Sequence, residues 1–164
     1  MTIQQVDLHN TMNRLFENTI DDRSAAIVAA SYLEDLLKEF LIKKFNDNFS
    51  QLSKTEQGNL TSGNGPLSTF SSRITIAFLS GLISKKVYDD LNNIRNIRNQ
   101  FAHNMEAVDF TSDQKIKDKC EKLKLIKNLT TSDDLRQRFK ASVVTISFEL
   151  IGAKPLGPEH LENF

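Results

Sequence analysis

The chain has 164 residues, in which 21 Lys and Arg are balanced by 21 Asp and Glu for a formal net charge of zero. That length supports one sizeable core and not two, and the missing positive field argues against direct DNA binding, which draws its non-specific affinity from neutralised phosphates. With 39% hydrophobic and 26% charged residues, six Gly and three Pro, the composition excludes disordered, collagenous and membrane classes and predicts an all-α globular protein.

The opening residues carry no signal-peptide pattern and no run of about 18 apolar residues occurs, so the expected location is the cytoplasm. The single cysteine, Cys120, suits a reducing compartment and offers no thiolate pair to a metal.

In chain order, Ile3, Val6, Met12, Leu15, Phe16 and Ile20 recur at helical spacing and predict a first amphipathic helix over 3–20. Asp21 or Asp22 then caps a second helix, apolar nearly all round from Ala25 to Phe45, a pattern expected of a helix with neighbours on several sides. From Asn46 to Pro66 the composition turns to Asn, Ser, Gln, Thr and Gly. This reads as a long polar loop with room for one short helical turn.

Ser68 or Thr69 opens a short helix through Phe70, Ile74, Ala77, Phe78 and Leu79, with Gly81 as its left-handed stop. Ser84 caps the next, in which Val87, Leu91, Ile94, Phe101 and Met105 share one side and which runs to about His103 or beyond. A further helix is predicted from Ser112 to Asn128 through Ile116, Cys120, Leu123 and Ile126. Thr131 and Asp134 have capping-box spacing ahead of a last helix using Leu135, Phe139, Val143, Ile146 and Leu150, which Gly152 can end. The sum is a bundle of about six helices over residues 1–152, followed by an irregular tail at 153–164 containing Pro155 and Pro158.

With Val87 at zero and about 100° per residue, Arg98 falls near 20°, inside the apolar stripe. A buried guanidinium keeps its charge and needs a carboxylate, and the apolar surroundings of Glu34 and Asp35 on the second helix make these its candidate partners. Such a pair sets helix register or serves a functional site, and both roles can coexist. If the partner is fully buried, Arg98→Ala should cost about 3–5 kcal/mol.

Arg95, Asn99 and His103, spaced four apart, form a polar ridge beside the stripe. There the amide can orient an imidazole able to exchange protons, and Arg95 and Arg98 could hold a phosphate. The plainer role for His103 is to complement a helix C-terminus. Lys115, Lys117, Lys119, Lys122, Lys124 and Lys127 make one basic patch on a neutral chain, ordinarily a solvated face and otherwise a contact for nucleic acid or acidic protein. His9 and His160 have no partners at metal-ligand spacing, and no glycine-rich phosphate loop occurs. No metal or nucleotide cofactor is expected.

Three stretches carry a resemblance. They are Asp22-Arg23-Ser24-Ala25-Ala26-Ile27, then Tyr32-Leu33-Glu34-Asp35-Leu36-Leu37, and the run from Gly63-Asn64-Gly65-Pro66-Leu67-Ser68-Thr69-Phe70-Ser71 to Ile94-Arg95-Asn96-Ile97-Arg98-Asn99-Gln100-Phe101-Ala102-His103. In this order they resemble the mannitol operon repressor (MtlR) family. The resemblance implies an all-helical bundle without a recognised helix-turn-helix, hence regulation of transcription through a protein partner.

Arg98-Asn99-Gln100-Phe101-Ala102-His103 is also similar to the R-x4-H signature of HEPN-type domains. That resemblance implies metal-independent RNA cleavage at a site shared across a homodimer, with His103 on the 2′-hydroxyl, Arg98 on the phosphate and Asn99 beside them. On a straight helix Arg98 lies about 140° from His103. The longer resemblance favours a non-enzymatic regulator, with a ribonuclease as the alternative.

Overall fold

The computed structural model describes residues 10, 16, 21–104, 108–127 and 133–152. They form seven helices and no strand: α1 (Asp22–Lys44), α2 (Asn46–Phe49), α3 (Lys54–Thr61), α4 (Phe70–Leu79), α5 (Lys85–His103), α6 (Gln114–Glu121) and α7 (Leu135–Ile151). The all-α expectation holds. Of the helix predicted over 3–20, only Asn10 and Phe16 are described; both are helical, and Phe16 is buried with its ring 6.4 Å from that of Phe139. Met105 and the 153–164 tail lie outside the described residues.

Asp21 caps α1 by accepting from the Ser24 backbone N–H at 2.8 Å. The helix packs against α4, α5 and α7, and Ala25, Ala26, Ala29 and Ala30 are fully buried, so small side chains let these neighbours approach closely. The opposite face meets solvent, with Val28 43% exposed. The helix enclosed on every side is α7, where all residues from Phe139 to Phe148 are buried. Two of its buried hydroxyls are satisfied locally: Thr145 Oγ1 donates to the Ala141 carbonyl and Ser147 Oγ to that of Val143, each at 2.8 Å. The β-branched run 143–146 is therefore helical, as its flanking periodicity predicts.

The polar stretch 46–66 holds two helices, more structure than the single turn expected. Ser53 and Glu56 form a reciprocal capping box at the start of α3, and the Gln57 side-chain amide donates to the carbonyls of Phe49 and Leu52. The segment then folds onto itself through Leu67 N–H to the Leu60 carbonyl at 2.8 Å. A Cβ on Gly65 would sit 2.1 Å from the Asn59 carbonyl oxygen. Only glycine allows that approach.

Thr69, Gly81 and Ser84 act as predicted: Thr69 and Ser84 cap α4 and α5, and Gly81 has φ +68° just past α4. Two boundaries differ. The predicted 112–128 helix stops at Glu121, because the backbone N–H groups of Lys124 and Leu125 are taken by the Asp90 carboxylate of α5 at 2.8–3.0 Å and not by carbonyls four residues back. Leu123 and Ile126 remain buried beyond the helix end. In the second case Asp134 is itself the N-cap of α7, accepting from the N–H groups of Arg136 and Gln137, and not the third residue of a helix capped by Thr131.

Candidate functional site

The arginine–glutamate pair expected from helical phase exists, with a second arginine. Arg98 Nη2 donates to Glu34 Oε2 at 3.5 Å, and Arg73 Nη1 of α4 lies 3.6 Å from Glu34 Oε1. Arg73 is the more deeply buried, its side chain 6% exposed, against 29% for Arg98 and 25% for Glu34. Its remaining donors reach the carbonyls of Leu67, Glu34 and Ser68 at 2.7–3.3 Å, tying the glycine-containing segment to α1.

Arg98 is thus at the border of the buried stripe and not in its middle. The fully buried residues of α5 centre on Ile94, and Arg98 lies about 40° to one side of it. Asp35 is exposed and takes no part.

Two further acidic residues hold helices together. Asp22 accepts from the Phe110 N–H at 3.0 Å and pairs with Arg136 of α7 at 3.0 Å, while the neighbouring Arg23 donates to the Asn104 carbonyl. Asp90 binds the 122–125 turn and receives Ser142 Oγ of α7 at 3.4 Å. Burial lifts its pKa above the ordinary value, against the lowering effect of the N–H groups of Leu125 and Lys124. Its neighbour Asp89 shows the opposite: hydrogen bonds from Lys124 and Lys85 hold its carboxyl below the ordinary range.

Arg73 and Asp90 escaped the sequence reading. Each was detectable, since Arg73 lies in helical phase with Phe70 and Ala77, and Asp90 with Val87 and Ile94.

The other predicted residues face elsewhere. From the Gln100–Asp113 hydrogen bond (3.2 Å) to the contacts of Asp89 and Asp90 with Lys124, α6 and its following turn run back along α5. Between them lie two adjoining hollows of about 440 and 510 Å³ that share Asn96, Lys119 and Lys122. Asn99, His103 and Lys115 complete one end, and Asn92, Asn93 and Lys127 the other.

The ridge residues Asn99 and His103 are thereby brought to the lysine patch, and Arg98 is turned away toward Glu34. Because α5 is helical through His103, Arg98 and His103 do not converge on one phosphate within this chain. Arg95 is partly buried, and its Nε, like that of Arg98, is enclosed without a hydrogen-bond partner among the described residues. On a separate face, Phe45, Phe49, Leu52, Leu60 and Ile76 line an apolar hollow of about 320 Å³.

Residues 10–149 match the model of a family described as mannitol repressor. No curated protein matches the chain. Among solved structures, the X-ray structure of the MtlR–HPr complex from Escherichia coli is similar, with a TM-score of 0.70 at 18% identity over 88% of this chain and 98% of that one. At that identity the likeness is one of fold.

Proposed function

The chain belongs to the mannitol repressor family, and from that premise we propose that it is a transcriptional regulator of the mannitol-repressor type that acts through protein contacts, with HPr as a partner. The family match over residues 10–149 carries this reading. The crystallised complex of the E. coli MtlR with HPr supports the choice of partner, and the zero net charge supports a protein rather than a DNA backbone as the primary contact.

In this reading residues 1–152 act as one helical unit in the cytoplasm. Among the described residues no helix is long and apolar enough to cross a membrane. The Glu34, Arg73 and Arg98 cluster keeps α1, α4 and α5 in register, and Asn99 and His103 belong to the surface.

Two measurements test the reading. Titrating the purified chain with HPr in a calorimeter should give a saturable heat, and deleting the gene should raise expression of the mannitol operon. Absence of the heat removes HPr as partner, and an operon unchanged by deletion removes the regulatory role.

A further inference from the structure

The α5–α6 groove combines two kinds of chemistry not used by the fold. On its α6 wall Lys115, Lys119 and Lys122 have no ion-pair partner among the described residues, in contrast to Lys124, which is bound to Asp89 at 2.6 Å. Of the carboxylates lining it, Asp118 is engaged by the Gln114 amide at 2.7 Å, Asp89 by Lys85 and Lys124, and Glu121 lies at the far end, leaving the lysines in excess. On the α5 wall the side chains of Asn96, Asn99 and His103 make no hydrogen bond among the described residues, and they follow one another at intervals of three and four along one helix face. From Asn92 to His103 the wall runs about 16 Å, the length of about five residues of extended chain.

We propose that this groove binds an extended acidic peptide segment of a partner protein. The lysines neutralise its carboxylates, and the amides pair with its main chain. An asparagine side chain offers both a donor and an acceptor, matching the alternating C=O and N–H groups of a peptide. A phosphate backbone offers acceptors only and would leave each amide oxygen unused.

Single-stranded nucleic acid would also need an aromatic face for its bases. Besides the His103 imidazole, the one aromatic ring lining the groove among the described residues is that of Tyr88, already covered by Phe78 at 4.6 Å and Lys85 at 4.8 Å. Among the described residues no arginine lines either hollow to grip a phosphate bidentately. The proposal stands independently of HPr binding.

Fluorescence anisotropy of the full chain with labelled octaglutamate, octaglutamine and octauridylate tests it. Octaglutamate should bind, weaken with added salt and outcompete the other two probes. Combining Lys119→Glu with Lys122→Glu should reduce its affinity at least ~10-fold, and combining Asn96→Ala with Asn99→Ala by about threefold to tenfold with the salt dependence retained.

Circular dichroism verifies that each variant is folded, and Lys119→Gln with Lys122→Gln replaces the charge reversal if that pair is not. Octaglutamate that fails to bind, or binds equally to the groove variants, overturns the proposal. Equal or tighter binding of octauridylate overturns it in favour of a nucleic-acid surface.

Discussion

Helix α5 has two polar faces with opposite fates. Toward α1 and α4, Arg98 shares the Glu34 carboxylate with Arg73, and the donors of Arg73 are absorbed by backbone carbonyls. Toward α6, one residue further along the chain, Asn99 faces lysines that make no ion pair among the described residues. The difference separates charges that the fold needs from charges it leaves available. Asp22, Arg23, Glu34 and Arg98 join segments distant in sequence. The segments that carry the resemblance supply both sides, since they also contain Asn96, Asn99 and His103 of the groove.

The contrast can be broken most sharply at Arg73. Arg73→Ala strips partners from buried carbonyls and from Glu34, and should lower unfolding free energy by about 3 kcal/mol in urea titration. Asp90→Ala leaves the N–H groups of Lys124 and Leu125 unpaired and should cost about 2 kcal/mol, with the 122–127 turn losing hydrogen-exchange protection first.

The adjacent aspartates should then respond to pH with opposite sign. The folded-state pKa of Asp90 lies above the ordinary 3.8, so the folded chain holds that proton more tightly than the unfolded chain, and stability falls as pH rises above 3.8 through the folded value. That of Asp89 lies below 3.8, so its contribution is present above 3.8 and is lost as pH falls through the folded value. Subtracting the Asp90→Asn curve from wild type should give a difference that declines with rising pH, and subtracting the Asp89→Asn curve one that grows. Equal signs would show that burial does not govern Asp90.

Arg98→Ala should cost only about 1 kcal/mol, because the pair is partly exposed and Arg73 remains on Glu34. This is well below the value expected for a fully buried pair. Smallest of all, Lys119→Gln should change stability by less than ~0.5 kcal/mol. A larger loss would place that lysine among the clamps and erase the distinction.

Much of this was legible locally. Asp21, Thr69, Ser84, Gly81 and Gly152 mark helix ends through interactions with their immediate neighbours, so a short window of sequence contains the whole cause. Glu34 and Arg98 could be paired because each stands out against an apolar pattern. The helix ending at Glu121 could not be read this way, since its cause is the Asp90 carboxylate, 34 residues before the Lys124 N–H that it binds. The basic patch and the Asn99–His103 ridge were each visible, but their facing one another depends on the return of α6 along α5.

Sequence alone determined the helical class, most helix starts and stops, and the need for an anion beside Arg98. These follow from periodicity, backbone geometry and the cost of burying charge, which act within a helix or between two readable stripes. Tertiary structure decided that Arg73 would join Glu34, that Asp90 would cap a remote turn, and that lysines and amides would share one groove. Those outcomes depend on which helix faces meet when the bundle closes, and packing fixes that only once all the faces are present together.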